Sequence, residues 1–186
     1  MDAIQLAYVL QAPIPRCVPW APLLEDVFNL YDVSTPQRQA CFIAQVGHES
    51  GRLRYMREIW GPTKQQLRYD PVTRLSKMLG NTQPGHGRMY MGRGAIQTTG
   101  LANYARVTQR LRRRFSKCPD FVREPQLLER PFWAAMSAGD YWEMRNLNKF
   151  ADAYDFAELT RRINGGYHGL ADRQAIYARA YPSLAL

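Results

Sequence analysis

Four short stretches of the chain hold side chains able to do chemistry. In Gly47-His48-Glu49-Ser50-Gly51 a carboxylate closes an apolar run whose spacing predicts a helix. The negative end of the helix dipole faces such a position and disfavours the charged carboxylate, where Lys or Arg is the usual choice. A glutamate kept protonated there suits a general acid; its bland alternative is a solvated residue at a frayed helix end. Nine residues on stands Glu58, within the Arg-rich stretch Arg52-Leu53-Arg54-Tyr55-Met56-Arg57. Cations beside Glu58 would keep it ionised. One neutral and one charged carboxyl is the pairing of glycoside hydrolysis. A plain surface ion pair from Glu58 to Arg54 or Arg57 is the competing reading.

The third stretch, Tyr90-Met91-Gly92-Arg93-Gly94-Ala95-Ile96-Gln97-Thr98-Thr99-Gly100, combines glycines that let a polymer approach the backbone with side-chain donors and acceptors at Gln97, Thr98 and Thr99. It is neither a Walker A loop nor GxGxxG, so it is no phosphate cradle. The fourth, Ile163-Asn164-Gly165-Gly166, reads as a helix stop whose amide also suits a sugar hydroxyl. No HExxH occurs beside His48, and His86 and His168 lie far off, so no metal site and no cofactor is expected.

These stretches must be positioned by helices. Residues 2 to 11 and 22 to 31 read as helices, and Ser34-Thr35-Pro36 starts a third that Gly51 ends. Thr63 and Gln66 have capping-box spacing, and a helix beginning at Asp70-Pro71 is expected to end at Gly80-Asn81. Residues 81 to 100 read as a long functional loop with room for a small hairpin. Helices follow from Leu101 to Arg114 and from Pro131 to Leu147. Asp155 and Glu158 repeat the capping-box spacing before the Gly165-Gly166 stop, and a last helix from Leu170 to Tyr181 is closed by Pro182. No convincing alternating run is present, so the fold class is all-α or nearly so.

Composition bounds the function. The 186 residues carry 25 Lys and Arg against 16 Asp and Glu, a formal charge of +9. That charge implies an anionic partner such as nucleic acid, anionic lipid or an acidic cell-wall polymer. A basic nucleic-acid-binding domain has no other support, because no recognition motif is present. The Arg106, Arg110, Arg112, Arg113, Arg114 run reads as a solvated face, with attraction to the anionic envelope as its functional alternative. Cys17, Cys41 and Cys118 form neither a CxxC pair nor a zinc pattern and read as buried or free thiols, although one disulfide stays open. Trp133 and Trp142 read as core. No apolar run spans a bilayer. The opening residues show no positive region before an apolar stretch, so no signal peptide is expected, and accumulation in the cytoplasm with export by a separate pore is the expectation.

Taken in order, the four stretches resemble glycoside hydrolase family 19, the lysozyme-like chitinases and their bacteriophage endolysin relatives. His48-Glu49-Ser50 is similar to the family's His-Glu-Thr/Ser acid motif, and Gly92-Arg93-Gly94-Ala95-Ile96-Gln97 to its Gly-Arg-Gly-Pro-Ile-Gln signature. Asn103-Tyr104, Ile163-Asn164-Gly165-Gly166 and Ala171-Asp172-Arg173 continue the match, which runs from about residue 36 to 181. The resemblance implies a single lysozyme-like domain over 1–186, with two helical lobes around a central cleft and no separate wall-binding module. It makes Glu49 the general acid, Glu58 the general base and Thr99 the holder of the attacking water. Gln97, Asn164 and Arg173 become substrate-site residues, with Arg93 and Thr98 lining the cleft, Tyr90 offering a ring for stacking and His48 orienting or packing beside the acid. Inversion of configuration implies carboxyl groups about 6.5–9.5 Å apart. Ala95 in place of Pro, Thr98-Thr99 in place of Leu-Ser and the missing cysteines between Glu49 and Gly92 depart from the chitinases. The expectation is therefore a monomeric endolysin cutting between N-acetylmuramic acid and N-acetylglucosamine, with a chitinase as the alternative.

Overall fold

In the computed structural model, which describes residues 1–185, helices account for nearly all regular structure. In chain order they are α1 Ala3–Leu10, α2 Ile14–Cys17, α3 Ala21–Leu30, α4 Pro36–Glu49, α5 Lys64–Leu67, α6 Arg74–Leu79, α7 His86–Met89, α8 Leu101–Arg112, α9 Pro131–Met144, α10 Asn148–Asp152, α11 Phe156–Asn164 and α12 Leu170–Leu184. A 3-10 turn, Pro125–Glu129, precedes α9. Among the described residues the only β structure is a pair of isolated antiparallel bridges, Arg57 to Arg93 and Arg93 to Thr98. The mainly α class follows from the sequence pattern. The small hairpin reduces to these bridges.

The chain forms two compact units. The first joins Met1–Tyr55 to the segment from Ala138 onward, and the second is Met56–Ser137. In the first, α4 is the central helix. Thr35 Oγ1 accepts from the Arg38 N–H at 3.2 Å and Pro36 supplies the preset first turn. Every residue from Ala40 to Gly47 is buried. Helix α12 packs along it, and α10 also lies against it. Phe42 meets Phe28 and Trp142 edge-on at 6.0 and 5.2 Å between ring centres. Side chains buried this completely contribute about 1.5–3 kcal/mol each.

In the second unit the fully buried Tyr104 of α8 is the anchor. Its hydroxyl donates to the Met91 carbonyl at 2.7 Å and accepts from Arg93 Nη1 at 2.9 Å. Phe115, Phe121, Phe132 and Trp133 form an edge-to-face ring cluster.

Several local expectations change. Helix α6 starts at Arg74 under a Thr73 cap, not at Asp70-Pro71. Asp70 Oδ1 instead accepts from the Gly87 N–H at 2.7 Å, a partner distant in sequence. The presumed loop from 81 to 100 contains α7. Asp155 caps the Glu158 N–H, but the Glu158 carboxylate turns to Arg161 and Arg162, so that box is half formed. Helix α12 runs through Pro182 to Leu184, because a proline in the last turn forfeits only one helical hydrogen bond. All three cysteines are free and buried, and burial pushes the Cys41 thiol up to about 12.

Candidate active site

The first unit brings the last turn of α4 against the first turn of α12. Two neighbouring residues on each helix pair off: His48 with Asp172, and Glu49 with Arg173. The Arg173 guanidinium is wholly buried. It donates through Nη2 to Glu49 Oε1 at 2.5 Å, through Nη1 to Gln45 Oε1 at 2.6 Å and through Nε to the His168 carbonyl at 3.3 Å. Gln45 in turn donates through Nε2 to Thr160 Oγ1 at 3.0 Å. Glu49 Oε1 is thus fixed by a guanidinium that is itself fixed by an amide one helical turn earlier on α4. Glu49 Oε2 accepts no hydrogen bond among the described residues. The helix end sets Glu49 at the negative pole of α4, and the structure adds a buried cation beside it.

His48 Nδ1 lies 2.6 Å from Asp172 Oδ2, and Arg52 binds both oxygens of the same carboxylate through Nη1 and Nη2. Arg52 first, with His48 second among the partners, holds the Asp172 carboxyl down at about 2. Ser50 makes the turn that delivers Arg52: its Oγ donates to the Val46 carbonyl at 2.6 Å and accepts from the Leu53 N–H at 2.8 Å. The backbone passes directly over the His48 ring at Gly169, where φ is +70° and a Cβ would stand 2.1 Å from His48 Cε1. Only glycine fits both constraints. Asn164, the last residue of α11, is exposed and forms no hydrogen bond to Glu49 or Arg173.

Among the described residues, no cation pairs with Glu58 in the second unit. Oε2 accepts from the Gly92 N–H at 3.0 Å, and Oε1 from Gln66 Nε2 at 2.9 Å and the Tyr69 hydroxyl at 3.3 Å. The Glu58 N–H returns a bond to the Gly92 carbonyl at 2.8 Å. Gln66 can hold this position because its Oε1 is pinned by the Gly61 and Thr63 N–H groups at 3.1 and 2.7 Å. Burial, reinforced by the Glu58 charge, pushes the Tyr69 hydroxyl up to about 12, so it remains a donor. The expected Arg neighbours are elsewhere. Arg52 is on Asp172, Arg54 lies over the Tyr55 ring at 5.0 Å, and Arg57 is 3.9 Å from Glu129.

Gly92 is also where Gln97 and Thr99 arrive. A Cβ there would sit 2.7 Å from Gln97 Oε1 and 3.2 Å from Thr99 Oγ1, so Glu58, Gln97 and Thr99 converge on one backbone position. Gln97 takes a left-handed φ of +54°, a strained conformation for a non-glycine residue, and donates through Nε2 to the Gly94 carbonyl at 3.0 Å. Thr99 Oγ1 donates to the Gln97 carbonyl at 2.9 Å. Thr98 is paired with Arg93 through both backbone groups.

Two expected cleft residues are interior. Arg93 is buried, with Nε on Glu129 at 2.7 Å and Nη1 on the Met89 carbonyl and the Tyr104 hydroxyl. Tyr90 is buried between the rings of His86 and Tyr104, and its hydroxyl donates to the Val122 carbonyl. Neither presents a face to a sugar. The sequence assigns no site role to Gln45 or Tyr69 and only a capping role to Gln66, and it sets Arg52 beside Glu58 where the structure sets it on Asp172. The available signal for Gln45 was a polar residue four positions before Glu49 inside an apolar helix.

No family model matches the chain. A glycosyl hydrolase family 19 domain-containing protein of Haemophilus influenzae is 32% identical over 163 residues, spanning 75% of this chain and 76% of that protein. The fold is similar to chitinase C from Streptomyces griseus HUT6037, with a TM-score of 0.74 and 21% identity over 99% of this chain and 92% of that one. It is also similar to a bacterial family 19 chitinase, with a TM-score of 0.70 and 22% identity over 100% and 95% of the two chains. Identity of nearly one third across three quarters of the Haemophilus protein, on a helical lysozyme-like fold shared along nearly the full chain, makes this protein a member of glycosyl hydrolase family 19.

Proposed function

We propose that the protein hydrolyses the β-1,4 bond between N-acetylmuramic acid and N-acetylglucosamine in peptidoglycan, as an endolysin-type enzyme that lyses bacteria. The observation that carries the reading is the convergence of Glu58, Gln97 and Thr99 on Gly92. Glu58, held by neutral donors only, takes a proton from a water, and the Thr99 hydroxyl accepts a hydrogen bond from that water. The water attacks the anomeric carbon, and Glu49, as general acid, delivers its proton through Oε2 to the leaving oxygen as that bond breaks; the pairing of the two carboxyl groups on one glycosidic bond is what family membership implies. Arg173 keeps Glu49 Oε1 in place throughout. Product leaves with inverted configuration, as family membership implies. The formal charge of +9 suits a glycan bearing lactyl and peptide carboxylates, which chitin lacks. The chitinases among the structural neighbours favour chitin as the second reading.

The test is digestion of purified peptidoglycan and of chitin oligosaccharides, with fragments read by mass spectrometry. Fragments with reducing-end muramic acid are expected. Reducing-end glucosamine, cleavage of chitin alone or cleavage of peptide bonds would overturn the reading. Glu49→Gln should abolish cleavage and keep the fold, because an amide oxygen still accepts from Arg173.

A further inference from the structure

The cations are not spread evenly over the two units. Met56–Ser137 has fifteen Lys and Arg against five Asp and Glu, whereas the rest of the chain has ten against eleven. Essentially all of the net charge therefore sits on the second unit. Within it, the stretch from Ile59 to Met89 carries Lys64, Arg68, Arg74, Lys77 and Arg88, all exposed. Its one carboxylate, Asp70, is engaged by the Gly87 N–H.

Four aliphatic side chains of the same stretch are more than half exposed, Ile59 at 73%, Leu67 at 59%, Val72 at 89% and Met78 at 71%, and Met89 is exposed at 43%. Single exposed aliphatic residues are ordinary. Here they alternate with cations along twenty residues that internal bonds hold together. Gln66 Nε2 donates to the Ile59 carbonyl at 2.8 Å, Asn81 Nδ2 to the Tyr69 carbonyl at 2.8 Å, and the rings of Trp60 and Tyr69 are 6.3 Å apart. Candidate partners reward this composition differently. A soluble polyanion, whether glycan or nucleic acid, gains mainly from the cations and little from aliphatic side chains scattered among them. The surface of an anionic bilayer gains from both, through phosphate headgroups and through the boundary with the acyl chains.

We propose that residues 59 to 89 dock the protein on an anionic phospholipid bilayer, with the cations on the headgroups and the four aliphatic side chains at the acyl boundary. The docking is separate from the hydrolytic reading and is measured without turnover. The full chain is sedimented with vesicles of phosphatidylcholine alone or of phosphatidylcholine with phosphatidylglycerol, and retention on heparin serves as the polyanion control. Binding confined to the phosphatidylglycerol vesicles is expected. Each Lys or Arg near such a surface is worth about a fivefold change in partitioning, so Lys64→Ser with Lys77→Ser should weaken it about 25-fold. Val72→Ser with Met78→Ser should weaken vesicle binding about tenfold or more and leave heparin retention unchanged. Both side-chain pairs are exposed, and unchanged circular dichroism verifies each variant's fold. Heparin retention without vesicle binding would overturn the proposal in favour of a soluble polyanion. So would vesicle binding that the Val72 and Met78 replacements leave intact.

Discussion

Replacing Gln45 by Leu tests whether the amide beneath Arg173 positions the proposed acid. Gln45 accepts from Arg173 Nη1 at 2.6 Å with both residues fully buried, so the leucine leaves one arm of a buried guanidinium without a partner. A hydrogen bond to a charged group is worth about 1.5–3 kcal/mol, and a buried donor left unpaired lies at the upper end. For a chain of this size each kcal/mol lowers Tm by about 2–4 °C, which gives a fall of about 5–10 °C. The functional loss should be larger than the stability loss. With one anchor gone, the guanidinium swings about Nη2 and carries Glu49 with it, and a misplacement of about 1 Å costs about 100-fold in rate. The expected signature is a large fall in kcat with KM nearly unchanged, because Gln45 touches the acid's support and not the glycan. Leu24→Ala, in the buried face of α3, is the control: a large-to-small core change costs about 2–5 kcal/mol and should leave kcat at 25 °C intact in the folded fraction. The reasoning fails if Gln45→Leu melts within about 1 °C of the parent, or if both variants lose kcat equally.

Two further perturbations separate the remaining contacts. Asp172 ionises at about 2 in the folded chain against 3.8 ordinarily, so its pairing stabilises the protein above about pH 4 and is lost as pH falls toward 2. Its side chain is 37% exposed, which discounts the effect to about 1 kcal/mol; Asp172→Asn should lose that much in urea unfolding at pH 7 and only a small part of it at pH 2, and an equal loss at both would refute the linkage. Around Glu58, Gln66→Leu removes the 2.9 Å donor together with the loop bonds it makes, whereas Tyr69→Phe removes only a 3.3 Å donor. kcat/KM should fall further for Gln66→Leu, and the reverse order would show that the phenol is the main support of Glu58.

Local signals were readable and distant ones were not. The start of α4 is written in Thr35-Pro36, and the Thr63–Gln66 box forms as its spacing requires, because both depend on neighbours a turn away. Asp70-Pro71 has the same local look and fails, since Gly87 claims the carboxylate from seventeen residues away. Arg93 fails for the same reason. Its motif reads as an exposed loop, yet Glu129 and Tyr104 draw the guanidinium inside. The Arg-rich run before Glu58 predicted a charged partner, but the left-handed turn at Arg52 and Leu53 sends Arg52 to Asp172. No spacing rule within residues 52 to 58 encodes a destination on α12.

The two candidate carboxylates differ in what holds them, and that difference constrains which residues can be exchanged. Glu49 is held by a buried charge whose other arm rests on a neutral amide. A second carboxylate at position 45 would compete for the guanidinium, and a hydrocarbon would strand it, so a neutral acceptor is the choice that keeps the Arg173 charge for Glu49 alone. Glu58 is held by an amide, a phenol and a backbone N–H, which fix its direction without bringing a cation against it. An arginine substituted at position 66 would bind Glu58 more tightly, yet it would neutralise the carboxylate that must take a proton from water. Tight binding of a catalytic carboxylate and its availability for proton transfer oppose each other. In this chain Glu49 meets that opposition by leaving Oε2 unbonded, and Glu58 meets it by using neutral donors.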